Sequence, residues 1–243
     1  MPRMLKNLFL GLPQRRRQAE RMDQPLAVDE HRSALQSLAR INWVSRSAAI
    51  MAKPIFAAAR EPNRRRPLRV LDLASGGGDI LTTLTRQAMA RHLKIDWIGC
   101  DISREAIQHS QEQALRANLP IHFQQLDVLR DPLPPDCDMV MCSLFLHHLE
   151  DDQAVDLMSR MREAAAESIL INDLIRSRWG YFLARAGCRL LTRSAVVHYD
   201  GPVSVAGAYT IKEVQILAEK AGLAHVRFAR HWPQRFLLTW SRR

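Results

Sequence analysis

Cysteine is scarce in this chain: Cys100, Cys137, Cys142 and Cys188 stand apart and form no CxxC pair. Such spacing excludes a disulfide framework and a zinc site. The four thiols read as small buried hydrophobes in a reducing compartment, and no metal ligand set is expected. Long apolar runs are missing too. No stretch of about eighteen apolar residues occurs, so no membrane-spanning helix is expected. Leu8-Phe9-Leu10-Gly11-Leu12 is too short for the core of a signal peptide, and Arg15-Arg16-Arg17 follows closely. A cytoplasmic location is the expectation. Aromatic residues make up only 6% of the chain and do not interleave with the arginine runs, which disfavours a single-strand nucleic-acid binder. There is no internal repeat and no long low-complexity stretch.

What is present is charge, unevenly spread. Of a net +10, residues 1–69 hold 15 Lys/Arg against 5 Asp/Glu, residues 70–173 hold 8 against 17, and residues 174–243 hold 12 against 3. An acidic centre between basic flanks implies a negatively charged partner, or flanking segments that fold onto the centre. A solvated arginine-rich surface is the plainer reading than nucleic-acid binding, with peripheral contact of the basic N-terminus on a membrane left open. A hydrophobic content of 47% suffices for a sizeable core, or a core plus a cap.

Glycine numbers only 10, yet three stand together in Val70-Leu71-Asp72-Leu73-Ala74-Ser75-Gly76-Gly77-Gly78-Asp79. A short apolar strand runs into this turn, and Ile80, Leu81, Leu84 and Ala88 continue at helical spacing. Residues without side chains let a ligand lie against the backbone, and the helix start offers free N–H groups. A second strand, Ile95-Asp96-Trp97-Ile98-Gly99-Cys100, ends in Asp101. An acid at that tip is placed to accept both hydroxyls of a ribose. Alternatively, Asp101 helps to cap the helix that starts near Ser103. Together the turn and the acid specify a nucleoside-containing cofactor. The dinucleotide fingerprint fails because Leu81 stands where its third glycine belongs, and the P-loop fails because no Gly-Lys-Ser/Thr follows the glycines.

Asp72, Ala74, Gly76 and Gly78 resemble motif I of the class I S-adenosylmethionine-dependent methyltransferases, an acid-x-Gly-x-Gly-x-Gly pattern, with alanine in place of the first glycine. Asp101 matches that family's ribose-binding acid. Gln125-Leu126-Asp127-Val128, after the strand Ile121-His122-Phe123, is similar to the loop whose Asp meets the adenine amino group and whose next residue offers a backbone N–H. Strand Cys137-Asp138-Met139-Val140-Met141-Cys142-Ser143 leads into Leu144-Phe145-Leu146-His147-His148-Leu149, which resembles the segment after strand four in many small-molecule methyltransferases. The resemblance covers residues 68–174 well and 205–241 loosely. It implies S-adenosylmethionine as cofactor, held by Asp72, Ala74, Ser75, Gly76, Gly78, Asp101, Ile102, Asp127, Val128 and Ser143.

Strands are predicted near 69–74, 95–100, 120–125, 137–143 and 167–173, with helices near 78–91, 103–117 and 150–166. Val226-Arg227-Phe228 and Phe236-Leu237-Leu238-Thr239-Trp240 read as a closing antiparallel pair. The expected fold is α/β: a Rossmann-like, doubly wound, seven-stranded, mostly parallel sheet with an antiparallel last strand and a helical cap. Binding then falls at the carboxyl ends of the strands. Residues 1–66 are expected to form a basic helical cap, with residues 1–19 only loosely docked. Residues 67–243 are expected to form the methyltransferase domain, with a cap insertion at about 178–209. Within 29–59 a broken helix is predicted, with Pro54 interrupting or ending it. Residues 196–202 read as a turn-rich segment. Thr210 and Glu213 form a capping box.

The family's chemistry is in-line attack on a sulfonium methyl group, so the protein chiefly aligns the partners and excludes water. An oxygen or carbon nucleophile also loses a proton. The candidate bases are His147, His148 and His198. If the first two lie on a helix, only one of them faces the pocket. Leu35, Leu38, Trp43, Trp179 and Phe182 suggest an apolar acceptor site. A small, apolar, ring-bearing acceptor predicts a closed pocket roofed by residues 30–58 and 178–209. An RNA or protein acceptor predicts an open site on basic surface. Ser143-Leu144-Phe145-Leu146 stands where an Asn-Pro-Pro-Tyr-type motif would sit, which disfavours base N-methylation. A non-catalytic donor-binding protein is the third reading.

Overall fold

The computed structural model describes residues 12, 14–24 and 26–242. Most of the apolar stretch at residues 8–12, and with it the start of the basic N-terminal segment, lies outside the described residues. Residues 14–24 run as an extended strap with one 3-10 turn at Arg21–Asp23. Helices α1 (Val28–Val44) and α2 (Ser47–Ala59) follow. The core then alternates: β1 (Leu68–Leu73), α3 (Asp79–Met89), β2 (Ile95–Asp101), α4 (Arg104–Arg116), β3 (Ile121–Gln125), β4 (Cys137–Ser143), α5 (Asp151–Ala164) and β5 (Ala165–Leu174). Helices α6 (Arg178–Leu191), α7 (Ala195–Gly207) and α8 (Ile211–Lys220) precede β6 (Arg227–His231) and β7 (Arg235–Ser241).

The seven strands form one sheet in the order β3-β2-β1-β4-β5-β7-β6, in which β7 alone runs against its neighbours. The order reverses direction between β1 and β4, the switch point where α/β sheets leave a crevice at the strand tips. One face of the sheet buries Leu71, Leu73, Val140, Ile169, Ile171 and Phe236 against α5 and α8. The other buries Val70, Met139, Met141 and Leu170 against α2, α3 and α4. This is the fold expected from the alternating pattern.

Two local expectations are corrected. Pro54 neither ends nor breaks its helix but sits inside α2. Burial of Ile50, Met51, Ile55 and Phe56 on both sides of it outweighs the missing N–H. The break falls earlier, at Arg46, in the left-handed region at φ 57°. Residues 196–202 are helical rather than turn-rich. The Ser194 hydroxyl accepts the Val197 N–H at 3.4 Å, and Val196, Val197 and Val205 are buried. A capped helix with one apolar face overrides the Asp-Gly-Pro punctuation. The capping box is as predicted: the Thr210 N–H donates to Glu213 at 2.7 Å and the Glu213 N–H to Thr210 at 3.3 Å.

The strap is better fastened than its composition suggested. Arg15 donates to the carbonyls of Gly207 and Leu149, both at 2.6 Å, and stacks on the Tyr209 ring at 3.8 Å. Arg17 pairs with Glu150 at 2.6 Å. The basic flank thus folds onto acidic and carbonyl groups of the core, one of the two outcomes its charge implied. Among the described residues, no helix is long and apolar enough to cross a membrane.

Candidate active site

The glycine turn leaves β1 through three left-handed residues: Ala74 at φ 54°, Gly76 at φ 54° and Gly78 at φ 72°. At Gly78 a Cβ would lie 2.8 Å from both the Phe123 ring and Ser110, so glycine there allows close helix–sheet packing. At Gly76 nothing lies within 4 Å of the Cβ position, which leaves open space over the backbone. Alanine at 74 adopts a left-handed conformation that glycine would take without strain.

Asp101 holds this turn in place. One carboxylate oxygen accepts the Gly76 N–H at 2.8 Å and the other the Ser103 N–H at 2.9 Å. Burial nevertheless pushes Asp101 above the usual carboxylate range. Ser103, not Asp101, is the N-cap of α4. Ile102 beside it is 64% exposed, an isolated apolar surface at the strand tip. The Asp127 loop closes on itself: Asp127 accepts the Leu129 N–H at 2.9 Å, and the Asp127 N–H donates to Asp131 at 2.8 Å. Val128 is buried. Asp72 is buried to 2% exposure, and its Oδ1 has no protein partner. Burial first, then the like charges of Asp79 and Asp101, push its carboxyl well above the usual carboxylate range. Ser75 Oγ and Asn172 Oδ1 are likewise buried without a protein partner, while Ser143 Oγ accepts from Asn172 at 2.9 Å. These unsatisfied polar atoms, the bare backbone and the acid at the β2 tip suit a ligand with a sugar and an amino-acid tail.

A cavity of about 370 Å³ opens from residues 74–77 and Ser143. Its far walls are Leu35, Leu38 and Ile41 of α1, Leu183 and Leu191 of α6, Val197 and Val205 of α7, and residues 232–235 at the entry to β7. The strap closes one side with Glu20 and Met22. Its position there follows from Asp200, which accepts the N–H groups of Arg21 at 2.8 Å and Met22 at 3.2 Å.

His147 and His148 both line this cavity, because they occupy a 3-10 turn, Leu146–His148, rather than an α-helix. The α-helical condition under which only one of them would face the pocket is not met. His147 is 5% exposed, and its Nδ1 lies 2.7 Å from Asp173 at the tip of β5. Burial pushes this imidazole down, but the charge and hydrogen bond of Asp173, joined by Glu20, carry it up to about 10. It therefore holds its proton at neutral pH and is not a ready base. His198 is placed elsewhere: its Nε2 faces the Thr192 carbonyl at 2.9 Å, and it lines a separate surface depression with Tyr181 and Tyr199. Trp43 (79% exposed) and Phe182 (56% exposed) do not line the cavity, nor does Trp179, which stacks on Phe182 at 5.6 Å. Amphipathic spacing picks out an apolar face without saying which apolar residues end up outside it. Glu20 and Asp23 escaped the sequence reading because their roles depend on contacts across most of the chain.

A methyltransferase-domain profile matches residues 70–167. Demethylmenaquinone methyltransferase of Deinococcus radiodurans is 31% identical over 96 residues, spanning 39% of this chain and 38% of that protein. Among solved structures, an O-methyltransferase family 2 protein from Planctomyces limnophilus in complex with apigenin is 19% identical, with a TM-score of 0.66 over 90% of this chain and 62% of that one. A plantazolicin methyltransferase in complex with a monoazolic desmethylPZN analogue and S-adenosylhomocysteine gives 14% identity and a TM-score of 0.65 over 88% and 91%. Magnesium protoporphyrin IX methyltransferase from Synechocystis, also with S-adenosylhomocysteine, gives 15%, a TM-score of 0.58, and 82% and 83%.

Proposed function

Taking residues 70–167 as a methyltransferase domain of the class I S-adenosylmethionine-dependent family, we propose that this protein moves the methyl group of S-adenosylmethionine to an oxygen or carbon of a small, apolar, ring-bearing acceptor. The observation that carries this reading is the cavity. It adjoins the glycine turn, is walled by aliphatic side chains of α1, α6 and α7, and is covered by the strap. Such a chamber suits a metabolite held away from water. An RNA or protein acceptor would call for an open basic groove, whereas Arg15, Arg17 and Arg176 are engaged in internal contacts. The names of the neighbours agree in kind, since apigenin and protoporphyrin are ring systems.

In this reading the donor lies across the strand tips. Asp101 accepts the ribose hydroxyls with lone pairs that the Gly76 and Ser103 amides leave free. Asp127 and the Val128 amide meet the adenine, and Ile102 packs on its face. The amino-acid tail rests on Ala74, Ser75, Gly76 and Gly78, near Asp72, with Ser143 beside the sulfonium. When bound, the donor supplies an already activated methyl group, so the chain's own work is alignment and exclusion of water. His147 and His148 form the polar corner of the acceptor cavity. His147, with its proton held between two carboxylates, offers positive charge to an oxygen that has lost its proton. His198 has no part in this cavity. The described part of residues 1–66 and the insertion at 178–209 act as the cap.

Calorimetry with S-adenosylhomocysteine, followed by mass spectrometry of a panel of apolar phenols and quinols incubated with the donor, tests the proposal. Donor binding with methylated ring products supports it. No donor uptake, or methylation confined to RNA or protein, overturns it.

A further inference from the structure

Glu20, His147 and His148 bring one carboxylate oxygen and two ring nitrogens within 4.8 Å of one another at the polar corner of the cavity. His147 Nε2 lies 3.6 Å and His148 Nε2 3.9 Å from the same Glu20 oxygen, Oε1. Both separations are too long for a hydrogen bond. They lie close to the ~3.4 Å that separates two ligands on a tetrahedral ion with bonds of ~2.1 Å.

The opposite nitrogen of each ring is also accounted for. His147 Nδ1 lies 2.7 Å from Asp173, and His148 Nδ1 lies 3.3 Å from Asp23. A histidine whose Nδ1–H donates to a carboxylate is set to bind a metal through Nε2, the usual outer-shell arrangement behind a metal-bound imidazole, and at His147 the ion would displace the Nε2 proton held in its absence. Here that arrangement occurs twice, and both Nε2 atoms converge on one carboxylate. The three ligands are supported from behind. The His147 backbone N–H donates to Asp173 at 3.3 Å, Ser204 donates to Glu20 at 2.6 Å, and Asp200 fixes the two residues after Glu20.

We propose that Glu20, His147 and His148 bind a divalent transition-metal ion that pins the strap to the core and leaves coordination positions open to the acceptor cavity. Two imidazoles and one carboxylate suit Zn²⁺, Fe²⁺ or Mn²⁺ rather than the all-oxygen cations. The site would hold an oxygen-bearing acceptor by direct coordination. That last role rests on the acceptor reading above, whereas binding of the ion does not.

The test uses the tag-free full-length chain, stripped with chelator and titrated with Zn²⁺ and separately with Mn²⁺, with bound metal measured by elemental analysis and melting followed in parallel. The expected result is uptake of about one ion per chain with a rise in melting temperature, and at least ~10-fold weaker uptake in Glu20→Gln and His148→Ala. S-adenosylhomocysteine affinity, measured on the same samples, checks that the variants are folded. No uptake by a wild-type chain that binds S-adenosylhomocysteine overturns the metal site alone, as does equal uptake by both folded variants. Failure to bind S-adenosylhomocysteine with metal uptake intact overturns the donor reading and leaves the metal site standing.

Discussion

The two halves of the crevice are built on different principles. The donor half, from Asp72 to Val128, consists of strand tips and tight turns, and much of its polarity is main-chain: the Gly76 and Ser103 amides on Asp101, and the Asp127 amide on Asp131. The acceptor half is a wall of side chains from distant segments. Glu20 comes from the strap, His147 from the 3-10 turn, Asp173 from β5 and Asp200 from α7. A site made of backbone turns tolerates little change in the turn but depends on little else. A site made of converging side chains depends on every segment that contributes, and one buried charge can undo it.

The sharpest way to break the contrast is Asp173→Ala. Asp173 is 2% exposed, bonds His147, and with Asp79 supplies the negative charge that opposes the effect of burial on Arg235. Its removal leaves buried positive charge uncompensated, which costs about 3–5 kcal/mol. Chemical denaturation should show that loss; a change below about 1 kcal/mol would mean the acceptor wall rearranges freely.

Next in size is Asp101→Ala, which should weaken S-adenosylhomocysteine binding by about 1.5–3 kcal/mol, the cost of losing hydrogen bonds to a charged group. Calorimetry measures this directly, and unchanged affinity would remove Asp101 from the donor site. Smallest is the strap. Burial, joined by the charges of Glu20 and Asp23, pushes Asp200 from 3.8 up to about 6 against the pull of the Arg21 and Met22 amides. A carboxyl whose folded value is raised contributes its stability fully below 3.8 and loses it as pH rises through about 6. Amide exchange at Arg21 and Met22, corrected for intrinsic rates, should therefore speed up between about pH 5 and pH 7. Asp200→Asn should flatten that dependence while donor affinity stays unchanged; a profile identical to wild type would show that Asp200 does not govern the strap.

Legibility in the sequence follows the same divide. The glycine turn, Asp101 and the strand-helix alternation were readable because each depends on residues a few positions apart. Pro54 and the Asp-Gly-Pro of α7 misled for the complementary reason. Their local preferences point to breaks, but buried neighbours such as Ile55 and Val205 hold both helices intact. Trp43 looked like a cavity residue from its spacing and is 79% exposed, because helical period sets a face but not what that face meets.

By itself, then, the sequence determined the sheet, the turn that opens at its centre and the acid at the tip of β2, since hydrophobic period and glycine conformation act over a few residues. Only the tertiary structure decided that His147 and His148 share one wall, that His198 lies outside it, and that Glu20 reaches them from the strap. Those placements depend on packing between segments far apart in the chain, where the free energy of a contact belongs to neither segment alone.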